Sequence, residues 1–153
     1  MKIQHYTTEE QSWQLIKAGL DVNTADMWAE RNFSSDISVK WGTARFLPLL
    51  KKQSELDDRD KFFVVNKQKL FKTILPCWSL SALINIIKQN IRLIHKYDDF
   101  AIIFSGEKCR VTYRGWWDDT VKGKTTSEAD SELEAVYNVM LSLLKIKHLK
   151  SLN

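Results

Sequence analysis

Apolar residues near the C-terminus recur with helical spacing. Leu133, Val136, Tyr137, Met140, Leu141 and Leu144 follow one another at intervals of 3-1-3-1-3. That spacing predicts a core-facing helix over 128–146, opened by Ser127 with Asp130 three residues on. Lys145, Lys147, His148 and Lys150 crowd its end, where cations suit the helix dipole. A second stripe, Leu80, Leu83, Ile84, Ile87 and Ile91, predicts a helix over 80–90. Ser79 caps it and Trp78 packs back on its first turn, just after Pro76 has ended an extended approach. A third helix is expected over 8–18. Thr7 and Glu10 form its capping box, Trp13, Ile16 and Leu20 share a face, and Gly19 is the left-handed residue past its end.

Period-two alternation marks the strands. Phe100, Ile102 and Phe104 alternate along one run, and Cys109, Val111 and Tyr113 alternate with Arg110, Thr112 and Arg114 along the next. The segment Ser105-Gly106-Glu107-Lys108 joins them into a hairpin over 100–105 and 109–114. Apolar residues on both faces near Ile102 and Ile103 predict that the first strand is central. Residues 118–127 read as a polar loop. Phe62–Val65 and Leu70–Leu75 read as strands around a turn at Asn66–Lys69. Ile37, Val39 and Trp41 suggest another short strand, and residues 21–28 a short helix with Met27 and Trp28 inward. Pro48 fits the first turn of a helix carrying Leu49 and Leu50, and 54–60 reads as a charged loop. Together these elements predict one α+β domain over 1–153. A small antiparallel sheet containing the 100–114 hairpin is covered by N-terminal, central and C-terminal helices, with a frayed basic end over 145–153.

Composition narrows the class. The apolar share of 44% and six tryptophans favour a packed core over disorder. At 153 residues a core forms without disulfide or metal staples. Cys77 and Cys109 supply neither a disulfide framework nor a metal-ligand pattern and read as buried thiols. No secretory leader and no membrane-spanning run is legible, which predicts a cytoplasmic protein that engages no membrane. A net charge of +4 is mildly basic; it bears on solubility before it bears on partners.

Three stretches carry a resemblance. Ala18-Gly19-Leu20 followed by Thr24-Ala25-Asp26-Met27, the run Pro76-Cys77-Trp78-Ser79-Leu80-Ser81-Ala82-Leu83, and a closing helix after a two-stranded hairpin together resemble a group of uncharacterised proteins from gut anaerobes, their phages and mobile elements. The resemblance implies a bacterial or phage origin and a compact α+β domain. It brings no activity and no catalytic residues.

The residue chemistry is sparse. Asp118-Asp119 and the cluster Asp57, Asp58 and Asp60 lack the spacing of a calcium loop and read as turn acids. His5, His95 and His148 show no helical zinc spacing, and Cys109 with His95 has no nucleophile signature around it. Ser79 and Ser81 lack a nucleophile elbow, and no glycine-rich phosphate loop exists. No catalytic residue, metal or cofactor is expected. Lys67, Lys69 and Lys72, and the C-terminal lysines, read as solvated charges.

The hairpin is the exception. Arg110, Thr112 and Arg114 share one strand face that Trp116 extends, while Tyr113 and Trp117 lie on the other. Arginines beside an exposed ring can neutralise phosphates and stack bases. Arginine pointed at water also protects a strand in the ordinary way. The leading expectation is a non-enzymatic binding or accessory protein, with Trp116 and Trp117 as anchors for a protein partner. The second is weak nucleic-acid binding through Arg110, Arg114 and Trp116, and the third is a small-molecule enzyme.

Overall fold

A computed structural model describes residues 2–31, 37–41, 63–66, 69–117 and 120–149, with side chains outside 30–74. Among these residues three α-helices, α1 (Glu9–Lys17), α2 (Leu80–Leu93) and α3 (Glu132–Lys145), accompany seven strands. The strands are β1 (Met27–Arg31), β2 (Ile37–Trp41), β3 (Phe63–Asn66), β4 (Lys69–Cys77), β5 (Asp99–Ser105), β6 (Lys108–Trp117) and β7 (Val121–Ala129). They form two antiparallel sheets, one in the order β2-β1-β4-β3 and one in the order β5-β6-β7. The architecture is α+β, as the periodicities predict, with two sheets in place of one. No described helix is long and apolar enough to cross a membrane.

The core lies between the second sheet and the helices. Cys109, Val111 and Tyr113 of β6, Leu83 and Ile87 of α2, and Val136, Val139, Met140 and Leu143 of α3 are all fully buried. The α3 helix is buried over more than its predicted stripe, because α1, α2, β6 and β7 all pack on it. A helix wrapped by neighbours loses its polar face, so Ala135, Val139 and Leu143 join the predicted positions.

Four expectations are corrected. First, the cap of α1 is Thr8, whose hydroxyl accepts from Gln11 N–H at 3.1 Å while the Gln11 side chain reaches back to Thr8 N–H. Thr7 is instead buried and serves Trp78. Second, residues 22–24 form one 3₁₀ turn capped by Asp21, and Met27 and Trp28 belong to β1. Pairing with β2 and β4 overrides the local helical reading. Third, β5 is an edge strand and β6 is central, leaving Ile103 and Phe104 about half exposed. Fourth, the expected polar loop is mostly β7, and the last helix is capped by Ser131, not Ser127. The inward positions of β7 are Gly123, Thr125, Ser127 and Ala129, all small, so no apolar alternation betrays the strand. The helix expected at Pro48, the loop over 54–60, the Asp57–Asp60 cluster, residues 67–68 of the expected turn and the Asp118-Asp119 pair lie outside the described residues, as do the side chains of Trp41, Lys69 and Lys72 and the chain from Lys150 onward, while Asn66 and Lys69 pair where β3 ends and β4 begins.

Trp78 joins the layers. Its ring is fully buried and its indole N–H donates to the Thr24 hydroxyl at 3.0 Å. Its backbone N–H donates to the Thr7 hydroxyl at 3.0 Å, and its carbonyl accepts from Thr7 N–H at 3.0 Å. Ser79 then caps α2 by accepting from Ala82 N–H, while its own N–H and hydroxyl donate to Asp26. Pro76 is the next-to-last residue of β4 and lies beyond Thr73, the last β4 residue paired with β3, so its missing donor breaks no ladder on that side.

Two of the three described helices, α1 and α3, close with the same motif. Past α1, Gly19 at φ 103° lets Leu20 N–H reach the Leu15 carbonyl. Past α3, Lys147 sits at φ 58° and His148 N–H reaches the Leu143 carbonyl. A lysine in that left-handed conformation is strained, because its Cβ crowds the following carbonyl. Lys147→Gly therefore raises stability by about 0.5–1 kcal/mol in urea denaturation, the relief outweighing glycine's larger entropy loss. An unchanged or lower midpoint contradicts this account of the turn.

Burial also raises the Cys77 thiol from its ordinary 9.0 to about 11. A group raised on folding stabilises below its unfolded value and loses that contribution as pH climbs through the folded one. Stability should fall between pH 9 and about 11, and Cys77→Ala should flatten that part of the profile in pH-dependent melts.

Candidate functional site

The two faces of the β5-β6-β7 sheet hold different chemistry. On the inner face, Tyr113, Gly115 and Trp117 follow one another along β6. Gly115 and Gly123 are directly opposite across the β6–β7 ladder. A Cβ on Gly115 would collide with the Asp98 carboxylate, and a Cβ on Gly123 would collide with the Trp117 indole. The paired glycines thus admit a carboxylate and an indole where side chains would stand. Trp117 is half-buried there, its ring stacked with Tyr113 at 6.1 Å and meeting His148 edge-on at 4.5 Å.

Asp98 lies in the turn between α2 and β5, and its side chain is 3% exposed. Tyr113 donates its hydroxyl to Asp98 Oδ2 at 2.5 Å. His148 Nε2 meets the same oxygen at 2.6 Å, and Trp116 N–H donates to Oδ1 at 3.3 Å. A buried carboxylate is tolerable only when its oxygens are satisfied, and these three donors satisfy both. Burial first, then the Asp98 carboxylate, push the Tyr113 hydroxyl far above the ordinary tyrosine range, so it stays a donor. His95 stacks on His148 at 3.9 Å and its Nε2 lies 2.7 Å from the His148 carbonyl, which fixes the proton on that nitrogen.

His95, Asp98 and His148 bring ligand-type atoms within 4.8 Å of one another. Around a tetrahedral ion with bonds near 2.0 Å, ligand atoms stand about 3.3 Å apart. The 2.6 Å between His148 Nε2 and Asp98 Oδ2 is a hydrogen-bond distance, and His95 Nε2 is committed to a carbonyl. As it stands the arrangement is a hydrogen-bonded network, in which the bond from His95 Nε2 to a carbonyl leaves Nδ1 as that ring's ligand-type atom. Nor does Cys109 join it: it stands four positions along β6 from Tyr113, which reaches Asp98, about 13 Å at strand rise. Burial raises the Cys109 thiol as well, which weakens it as a nucleophile.

The outer face carries Lys108, Arg110, Arg114 and Trp116. Its charges are sorted along the strand. At one end Lys108 pairs with Asp130 at 2.6 Å and Arg110 with Glu128 at 3.1 Å. The Lys108 ammonium is raised by Asp130 and the Asp130 carboxyl lowered by Lys108, as mutual attraction requires. At the other end Arg114 stands directly opposite Lys124, and Trp116 opposite Lys122. Arg114, Lys122 and Lys124 make no ion pair among the described residues. They line an open groove of about 390 Å³ together with Tyr97, Asp99, Trp116 and the two glycines. Trp116 is 42% exposed and Tyr97 is 92% exposed. The Lys122 ammonium lies 5.7 Å from the centre of the Trp116 ring.

Of the four residues singled out from the pattern, the structure brings two, Arg114 and Trp116, into the groove. Arg110 shares their face but is engaged by Glu128, and Trp117 points into the core over Gly123. Tyr97 carries no signal because it precedes its strand, and the place of Lys122 and Lys124, near the hairpin in sequence, opposite Trp116 and Arg114 is hidden because β7 shows no strand pattern. The Asp98–His148 pair escaped because fifty residues separate its members.

Comparisons with protein-family models, with curated proteins and with solved structures find no match to this chain.

The glycine pair gives a testable consequence. Gly123→Ala should cost about 1–3 kcal/mol in urea denaturation by overpacking Trp117. In a Trp117→Ala background the same change should cost much less, because the overlap is gone. Equal costs in both backgrounds would show that Trp117 does not occupy that space.

Proposed function

We propose that this is a non-enzymatic binding protein, and that the outer groove of β5-β6-β7 receives an anionic partner. One observation carries the reading. Arg114 and Lys124 are direct cross-strand neighbours of like charge. Such pairs destabilise a sheet, yet four residues along the same strands the corresponding positions hold an arginine and a glutamate. Asp99, the neighbour of Arg114 on β5, offsets part of that repulsion; Arg114, Lys122 and Lys124 together still outnumber it, and an anionic ligand supplies the remaining negative charge. The exposed rings of Trp116 and Tyr97 at the same end add contact area of the kind enriched at binding surfaces.

The buried cluster supports the groove. Asp98 holds the backbone of Trp116 at the groove floor and is itself held by Tyr113 and His148. That makes these residues supports for a surface, not reactants in a cleft. The resemblance to proteins of gut anaerobes and their phages suggests the setting: an accessory protein of bacterial or phage origin acting in the cytoplasm.

Retention on an anionic matrix tests the reading. Arg114→Glu, Lys122→Glu and Lys124→Glu combined should abolish retention on immobilised polyanion. An equal reversal of Lys17, Lys88 and Lys145, exposed on the three helices, should only weaken it. Equal losses in the two variants would mean that net charge alone is responsible and would remove the groove as a site.

A further inference from the structure

Resting on that reading of the groove, we infer that its partner is single-stranded nucleic acid, bound with an unpaired base stacked on Trp116 and backbone phosphates against Arg114, Lys122 and Lys124. An acidic peptide needs cations alone. This groove sets its cations around aromatic rings: Trp116 is 42% exposed and flanked by the Lys122 ammonium at 5.7 Å, and Tyr97 is 92% exposed at the groove's edge. A tyrosine so open to water contributes nothing to the core. A ring beside fixed charges is the arrangement that takes a base and its phosphate together.

The single-stranded form follows from geometry. A duplex hides its base faces in the stack, so a ring lying on an open sheet face reaches them only when the base is unpaired. No side chain on the outer face projects as a helix or ribbon would to enter a groove of duplex DNA. The floor beneath the ring is open and anchored: Gly115 and Gly123 face each other across the ladder, and the Trp116 N–H is held by Asp98. No base edge is read by hydrogen bonds, so stacking strength is the one source of sequence preference. The bases that stack strongly are favoured over the weaker ones.

Contact with phosphates sets a measurable salt dependence. Three cations, Arg114, Lys122 and Lys124, line the groove. For a single strand the logarithmic salt slope is about 0.7 per phosphate neutralised, which gives a slope near 2.

Fluorescence anisotropy of the full chain with a labelled oligothymidylate of about a dozen nucleotides, at several salt concentrations, tests this. The expected result is binding to the single strand well above that to a duplex of the same length, with a salt slope near 2. Trp116→Ala should weaken it about tenfold or more and Tyr97→Ala by less, both with unchanged melting curves. Polyglutamate serves as the second probe. If it competes as well as the oligonucleotide and Trp116→Ala binds normally, the nucleic-acid inference falls while the anionic groove stands. Stronger binding to the duplex overturns it too. If no anion distinguishes the groove charge reversal from the control reversal, both readings fall together.

Discussion

The fold turns on Trp78. Its indole occupies the meeting point of β4, α2, the N-terminal segment and the 3₁₀ turn, and every polar atom around it is used. Thr7, seventy-one residues away, brackets its backbone, Thr24 takes its indole N–H, and Asp26 takes the backbone and hydroxyl of the next residue. A fully buried ring of this size removes a large apolar area from water. The hydrogen bonds decide where it sits, because an unpaired donor in that position would be costly. Four separate pieces of chain are thereby held in one register, and the end of the first sheet is fixed relative to the helices that cover the second.

A second fixed point lies at the opposite end of the core. The Schellman turn after α3 carries His148 back beneath the sheet, where it closes on Asp98. Helix termination and burial of a polar pair are thus one event: the left-handed Lys147 tolerates strain so that His148 can reach its partner. Gly115 provides the space for the carboxylate, and Gly123 the space for the indole that walls it off. The network reaches the groove through the Trp116 N–H. The groove's most exposed large ring on β6 therefore stands on backbone tied to a buried carboxylate.

The outer face shows how one strand can serve two ends. Both halves of β6 point arginine outward, but β7 answers Arg110 with Glu128 and Arg114 with Lys124. The first pairing is ordinary surface electrostatics, worth little in energy and enough to neutralise the patch. The second leaves a positive field beside aromatic rings in a shallow concavity, where low-dielectric walls concentrate it. Function, on this view, is a property of which strand lies beside which.

Much of this was legible in the residues alone. Apolar stripes gave α2 and α3, because a 3.6 period survives whatever the helix packs against. The left-handed Gly19 ended α1, the Ser79 cap began α2, and alternation with a glycine turn gave the β5–β6 hairpin. These signals are local, and local sterics and hydrogen bonding impose them. The inside and outside of β6 followed from the same alternation, which is why Arg114 and Trp116 could be put on one face and Trp117 on the other. The neighbours of that face could not be read. β7 turns small residues inward, so it leaves no apolar trace. Met27 and Trp28 became strand through pairing with distant segments, and Asp98 met His148 only after α3 had docked. The Arg114–Lys124 opposition likewise exists only once β7 is paired in register. Periodicity belongs to a stretch of chain and can be counted along it; proximity between stretches comes from packing, which no single stretch encodes.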